Sequence, residues 1–82
     1  MGINMRNIGT LKDLQQGCHG VVLGIDSEGN MRQRLQHLGL IEGTEVRCIR
    51  KSPLGDPAAY CIRGAIIALR SEDSSCVRVQ WV

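Results

Sequence analysis

The sequence predicts a mainly β fold: a small sheet, strongly bent and closing on itself, with one inserted α-helix and a short N-terminal helical turn. Three observations predict it. Five short apolar runs, punctuated by Gly, Pro, Asn and Ser, alternate as strands do. Most connections between them are of hairpin length, which suits a sheet that curls rather than one crossed by helices. Phe is absent, and Trp81 and Tyr60 are the only aromatics, so Val, Ile, Leu, Met and Cys must fill the core. At 82 residues the chain is one domain, expected over 1–82 with its core from about residue 10. A chain of this size buries roughly 60–65% of its unfolded surface, so that core is thin.

In chain order, residues 1–9 carry no strong period, and Asn4 to Gly9 reads as a frayed lead-in. Thr10 is placed to cap a helical turn over Leu11-Lys12-Asp13-Leu14, with Asp13 at its third position. Leu11 and Leu14 then face one side as a lid on the barrel. Gly20 to Asp26 is the first strand, with Val21, Leu23 and Ile25 expected on the inner face and Gly24 marking a bulge or a close approach. Asn30 reads as a helix N-cap with Gln33 as its capping-box partner. Met31, Leu35 and Leu38 form one apolar stripe, and Gly39 stands where a left-handed cap is needed.

Thr44 to Lys51 is the second strand, Val46 and Cys48 inward, Glu45 and Arg47 outward. Ser52-Pro53-Leu54-Gly55-Asp56-Pro57 follows and contains both prolines of the chain. Pro53 presets the second position of a turn, Gly55 suits the fourth, and Pro57 keeps Asp56 out of the helical region. The stretch reads as a stiff hairpin tip in which Asp56 accepts a bond from its own following backbone. Ala58 to Arg63 is the returning strand, with Tyr60 and Ile62 on one face and Cys61 and Arg63 on the other. Ala65 to Leu69 is a fourth run, too short to type by period. Ser71 is placed to cap a single polar helical turn. Residues 76–82 close the chain as a strand with Val77, Val79 and Trp81 on one face.

Ten Lys and Arg against eight Asp and Glu leave a net charge of +2, too weak for a phosphate-binding face. No apolar run approaches the ~18–20 residues of a membrane span, and the first residues lack the apolar core of a signal peptide, so a cytoplasmic location is expected. The four cysteines form no Cys-x-x-Cys, and Cys48, Cys61 and Cys76 read as small buried hydrophobes. No nucleophile has a base beside it and no Gly-rich phosphate loop is present, which argues against an enzyme. A metal site remains as an alternative, ferrous iron or zinc, drawing on Cys18, His19 or His37 with an acid such as Glu42. Cys18 and His19 are sequence neighbours and point apart, and His37 suits a solvated helix C-terminus. Arg47, Arg50, Lys51 and Arg63 cluster around the hairpin, either guarding a sheet edge or forming a rim for an acidic partner.

Arg34-Leu35, Leu38-Gly39-Leu40, Gly43-Thr44, Pro53-Leu54-Gly55-Asp56-Pro57 and Ala68-Leu69-Arg70 occur in this order. In order and spacing they resemble the FeoA family, over Leu11 to Val79. Pro-Leu-Gly-Asp-Pro is the most specific element. Ser52 departs from the resemblance, standing where alanine is common, and so does Cys61. The resemblance implies an SH3-like five-stranded barrel, non-enzymatic and cytoplasmic, without a cofactor. It implies an accessory role in ferrous iron uptake beside the membrane transporter FeoB. The partner-binding residues are expected to be Pro53, Leu54, Gly55, Asp56 and Pro57, with Leu54 as an exposed knob, and Arg32 and Gln36 on the helix as a second face. Loss of Leu54 or Asp56 is expected to weaken binding and leave the melting temperature nearly unchanged. The alternative is a transition-metal-binding domain acting as a sensor or dimerising module.

Overall fold

Six antiparallel strands, one more than the sequence reading expects, make up the sheet of this computed structural model: β1 (Ile8–Thr10), β2 (His19–Ile25), β3 (Glu45–Lys51), β4 (Ala58–Ile62), β5 (Ala65–Leu69) and β6 (Val77–Trp81). The structure describes residues 7–81; the features read from residues 1–6, and the last residue of the expected strand 76–82, lie outside it. The added strand is β1, which lays Ile8 against Gln80 and Thr10 against Arg78. Three residues with a central glycine carry no readable alternation, so pairing with β6 rather than local pattern makes them a strand. The strand order is β1-β6-β2-β3-β4-β5. Helix α1 (Gly29–His37) joins β2 to β3, and α2 (Ser71–Ser74) joins β5 to β6.

Two bulges bend this sheet. Opposite β6, the register of β2 shifts between Val22 and Gly24; opposite β4, that of β3 shifts between Cys48 and Arg50. An extra residue in one strand turns the chain and resets which side chains face in. In β2 the buried residues are therefore Gly20, Val22 and Ile25, not the alternating Val21, Leu23 and Ile25. Gly20 is also required: a Cβ there would meet the Gln80 carbonyl oxygen at 2.8 Å and the Trp81 Cα at 3.0 Å. In β3, Val46 and Cys48 are buried as expected and Ile49 faces outward by the same alternation, while the bulge turns Arg50 outward as well, opposite Ala59. Tyr60 and Ile62 from β4, and Val77 and Val79 from β6, complete the inner face, with Trp81 packed at its margin.

The helical segments close the ends. Leu11 and Leu14 flank the 3-10 turn Leu11–Asp13 and are fully buried, and the Asp13 carboxylate accepts bonds from the Thr10 backbone (3.0 Å) and hydroxyl (3.1 Å). The buried Tyr60 hydroxyl donates to the Leu11 carbonyl at 3.3 Å. On α1, Leu35 is buried and Met31 and Leu38 pack beside it, the stripe that the spacing predicts. The helix starts one residue before Asn30, with Glu28 as N-cap and no side-chain cap bond. Arg32 instead anchors this end by donating to the Ile25 carbonyl at 3.0 Å. At the other end Gly39 has φ +101°, and its N–H and that of Leu40 donate to the Gln36 and Leu35 carbonyls. This pair of bonds is the Schellman arrangement, and Leu40 and Leu35 supply its buried apolar contact.

Burial pushes the Cys48 thiol above its ordinary 9.0, against the pull of Lys51. Burial likewise pushes the Tyr60 hydroxyl above 10.0, with the Ser74 hydroxyl pulling the other way. Both groups are neutral in the fold and ionise more readily once unfolded. Their contribution to stability is therefore full below pH 9.0 and is lost as the pH rises through the raised folded values. Thermal melts followed upward from neutral pH are expected to stay level and then fall beyond pH 9.0. In Cys48→Ala the fall begins later, nearer the ordinary tyrosine value of 10.0. An unchanged onset in that variant contradicts the assignment.

Candidate protein-docking site

The six residues 52–57 link Lys51 to its cross-strand partner Ala58. The Gly55 N–H donates to the Ser52 carbonyl at 2.7 Å, closing a turn with Pro53 second and Gly55 fourth, as the sequence predicts. The Ser52 N–H donates to the Pro57 carbonyl at 3.2 Å, closing the loop at its base. Gly55 takes φ +85°, which a residue with a side chain adopts only under strain. Pro53, Gly55, Asp56 and Pro57 are exposed, and Leu54 is 95% exposed. A leucine so open, on a loop with two internal bonds, adds nothing to the core.

Asp56 behaves differently from its sequence reading. Its carboxylate reaches across the fold, accepting the Ser71 N–H at 2.9 Å and the Ser71 hydroxyl at 3.2 Å. Ser71 is the first residue of α2, so Asp56 supplies from outside the cap that Ser71 was expected to provide. Asp56 is therefore a structural anchor of the loop, and the expectation that its loss spares the melting temperature is corrected. The other side of the loop is held through Lys51. Its N–H donates to the Gln16 side chain at 3.2 Å, and its ammonium to the Lys12 carbonyl at 3.1 Å.

Of the second expected face, Arg32 is engaged with Ile25 and Gln36 is exposed. Both line a depression with Leu23 and Arg78, while Pro53 and Pro57 line another with Ala59 and Ala68. The fold thus separates the two faces. Of the four basic residues expected around the loop, Lys51 is committed to Lys12, whereas Arg63 lies at the opposite end of β4 and folds over Gly39, whose added Cβ would meet its Cδ at 2.7 Å. Arg47 and Arg50 are exposed. Cys18 is exposed before β2, His19 begins that strand opposite Arg47, and His37 is exposed at the end of α1. Among the described residues no three His, Cys, Asp or Glu side chains gather closely enough to hold an ion. Of the cysteines, Cys48 is fully buried, whereas Cys61 and Cys76 are only half-buried.

Comparison with known proteins decides the family. The FeoA domain family matches residues 9–80. The chain belongs to the FeoA family. FeoA proteins take part in ferrous iron transport. A fusion of Fe(2+) transport protein A with the transporter FeoB, from Porphyromonas gingivalis, is 28% identical over 72 residues; the match covers 88% of this chain and 8% of that protein. The FeoA-like protein of Clostridium acetobutylicum superposes with a TM-score of 0.85 at 28% identity, over 95% of this chain and 91% of the other. FeoA of Stenotrophomonas maltophilia, solved with zinc and described as a procaryotic SH3 domain protein, superposes with a TM-score of 0.77 at 32% identity, over 87% and 88%. The SH3-like architecture implied by the FeoA motifs is the one observed, with β1 added.

Two substitutions in this FeoA loop test its anchoring. Asp56→Ala removes both bonds to Ser71 and is expected to cost about 1–2 kcal/mol, a fall in melting temperature on the order of 5–10 °C. Ser52→Ala acts in the opposite direction. The Ser52 hydroxyl is buried and has no partner among the described residues. Removing it is expected to raise stability by up to about 1 kcal/mol, measured by urea denaturation.

Proposed function

We propose that this chain is a non-enzymatic, cytoplasmic accessory protein of ferrous iron uptake that binds the cytoplasmic part of a FeoB-type transporter through loop 52–57. The observation that carries the reading is the fusion of the two components in one Porphyromonas gingivalis polypeptide. A covalent link holds two modules at high effective concentration, which is useful where they work in contact. The chain spans 8% of that protein, the share of an attached module rather than of a transporter. No helix among the described residues is long and apolar enough to cross a membrane.

Loop 52–57 is favoured as the contact because it combines exposure with order. Binding by a mobile loop loses affinity to the entropy of ordering it; a loop already closed by its own bonds loses less. Leu54 is the apolar element that such a contact would bury, and burying a leucine is worth about 1.5–3 kcal/mol. The mechanism is docking: Leu54 enters an apolar pocket on the partner, and the Asp56 anchor keeps its approach angle fixed.

The test is a pull-down with the partner's soluble cytoplasmic domain, with and without bound nucleotide. Leu54→Ser is expected to weaken capture about tenfold or more while leaving the melting temperature unchanged. Full retention of binding by Leu54→Ser would mean that the loop serves the fold alone.

A further inference from the structure

Cys18 and Cys48 face each other between β2 and β3. His19 lies opposite Arg47 and Gly20 opposite Val46, and the same register carried one residue back sets Cys18 opposite Cys48. The Cys48 N–H donates to the Cys18 carbonyl at 2.9 Å. The Cys48 carbonyl accepts instead from Gly17, at 2.7 Å, and Gly17 has φ +86°. This glycine bulge ends the pairing of the two strands. Opposite residues joined by ladder bonds have Cα atoms about 5.5 Å apart, inside the span of about 4.4–6.8 Å that a disulfide bridges.

Both side chains belong to the inner face. Gly20 and Val46, two residues along each strand, are buried, and side chains in a strand repeat their direction every second residue. Cys18 accordingly lines a hollow with Leu14 of the core and Trp81 at its margin. Cys48 is fully buried, whereas Cys18 is exposed, so one thiol of the pair meets solvent. The other two cysteines are placed elsewhere. Cys61 sits on the outer face of β4 between Arg47 and Ile66, and the Cys76 thiol donates to the Glu72 carbonyl at 3.4 Å.

We propose that Cys18 and Cys48 join in a reversible disulfide when a small-molecule disulfide such as oxidised glutathione accumulates, fastening the turn 15–18 to β3. The Cys18 thiolate attacks one sulfur of the small molecule and releases one small thiolate. The Cys48 thiol then gives up its proton and attacks the Cys18 sulfur, releasing the second. Two protein thiols are oxidised, one small disulfide is reduced to two thiols, and the two protons end on the released sulfurs. Burial disfavours the Cys48 thiolate, which makes the second attack the slow one. A disulfide with one exposed sulfur is readily reduced again, the behaviour of a redox-sensing bond rather than a permanent staple. The turn it fastens carries Gln16, whose side chain accepts the Lys51 N–H, and Lys51 is the last residue before loop 52–57. The bond therefore braces the base of that loop, and it forms whether or not the loop docks a partner.

The experiment treats the reduced full chain with excess oxidised glutathione at mildly alkaline pH, blocks the remaining thiols and maps the peptides by mass spectrometry. The expected product is a monomer with Cys18 linked to Cys48 and with Cys61 and Cys76 free. Its melting temperature is expected to rise on the order of 10 °C and to fall back on adding dithiothreitol. Hydrogen exchange at the Lys51 amide is expected to slow. Cys18→Ser, a change at an exposed position, is expected to give neither the link nor the shift. A chain that stops with glutathione on Cys18 and Cys48 unlinked overturns the proposal. A Cys18 link to a second copy, or to Cys61 or Cys76, overturns it equally. Unchanged exchange at Lys51 in the linked protein overturns the bracing of the loop.

Discussion

The Asp56–Ser71 contact joins the part of this FeoA chain that faces outward to the part that holds the fold together. Through it the loop tip bears on α2. Two residues further along, Asp73 forms an ion pair with Arg34 of α1 at 2.5 Å. Exposed ion pairs contribute little, but the Asp73 side chain is only 8% exposed, and a carboxylate that buried would be costly unpaired. The chain then turns into β6, the strand that both β1 and β2 pair with. Loop, both helices and the sheet are thus linked through two carboxylates, which matters in a domain whose core has one tyrosine and no phenylalanine.

Most FeoA motif residues in this chain turn out to serve the fold. Arg34 pairs with Asp73, and Leu35 is in the core. Gly39 and Leu40 close the end of α1. The Gly43 N–H donates to the Val22 carbonyl, tying the turn before β3 back to β2. Pro53 and Gly55 shape the tip, Asp56 anchors it, and the Arg70 carbonyl accepts the Asp73 and Ser74 N–H groups that wind α2. Leu54 stands apart. It sits in the most specific motif and is 95% exposed, which is why the proposed docking role is given to it rather than to its neighbours.

Alternation was legible where strands run unbroken. Val46, Cys48, Tyr60, Ile62, Val77 and Val79 all lie inside as their spacing implies. The inner face of β2 was misread because a bulge is a two-strand property, set by the register against β6 and invisible in β2 alone. β1 was missed because its partner lies at the far end of the chain. At the start of α1, Asn30 has the right chemistry for a cap, yet Arg32 holds that end through a carbonyl of β2. Local pattern also hid the two features that shape the surface. An apolar run such as Ala65–Leu69 reads like a buried strand, and only the sheet order shows that it is an edge. The reach of Asp56 spans 15 residues, beyond any capping or turn rule.

The central claim is that Leu54 is presented on a loop ordered before any partner arrives. Backbone nitrogen relaxation of the free protein tests it most directly. The account predicts amide order parameters at Leu54 and Gly55 near those of the strands, about 0.85. Values below about 0.6 at these two residues, with the strands rigid, would contradict it.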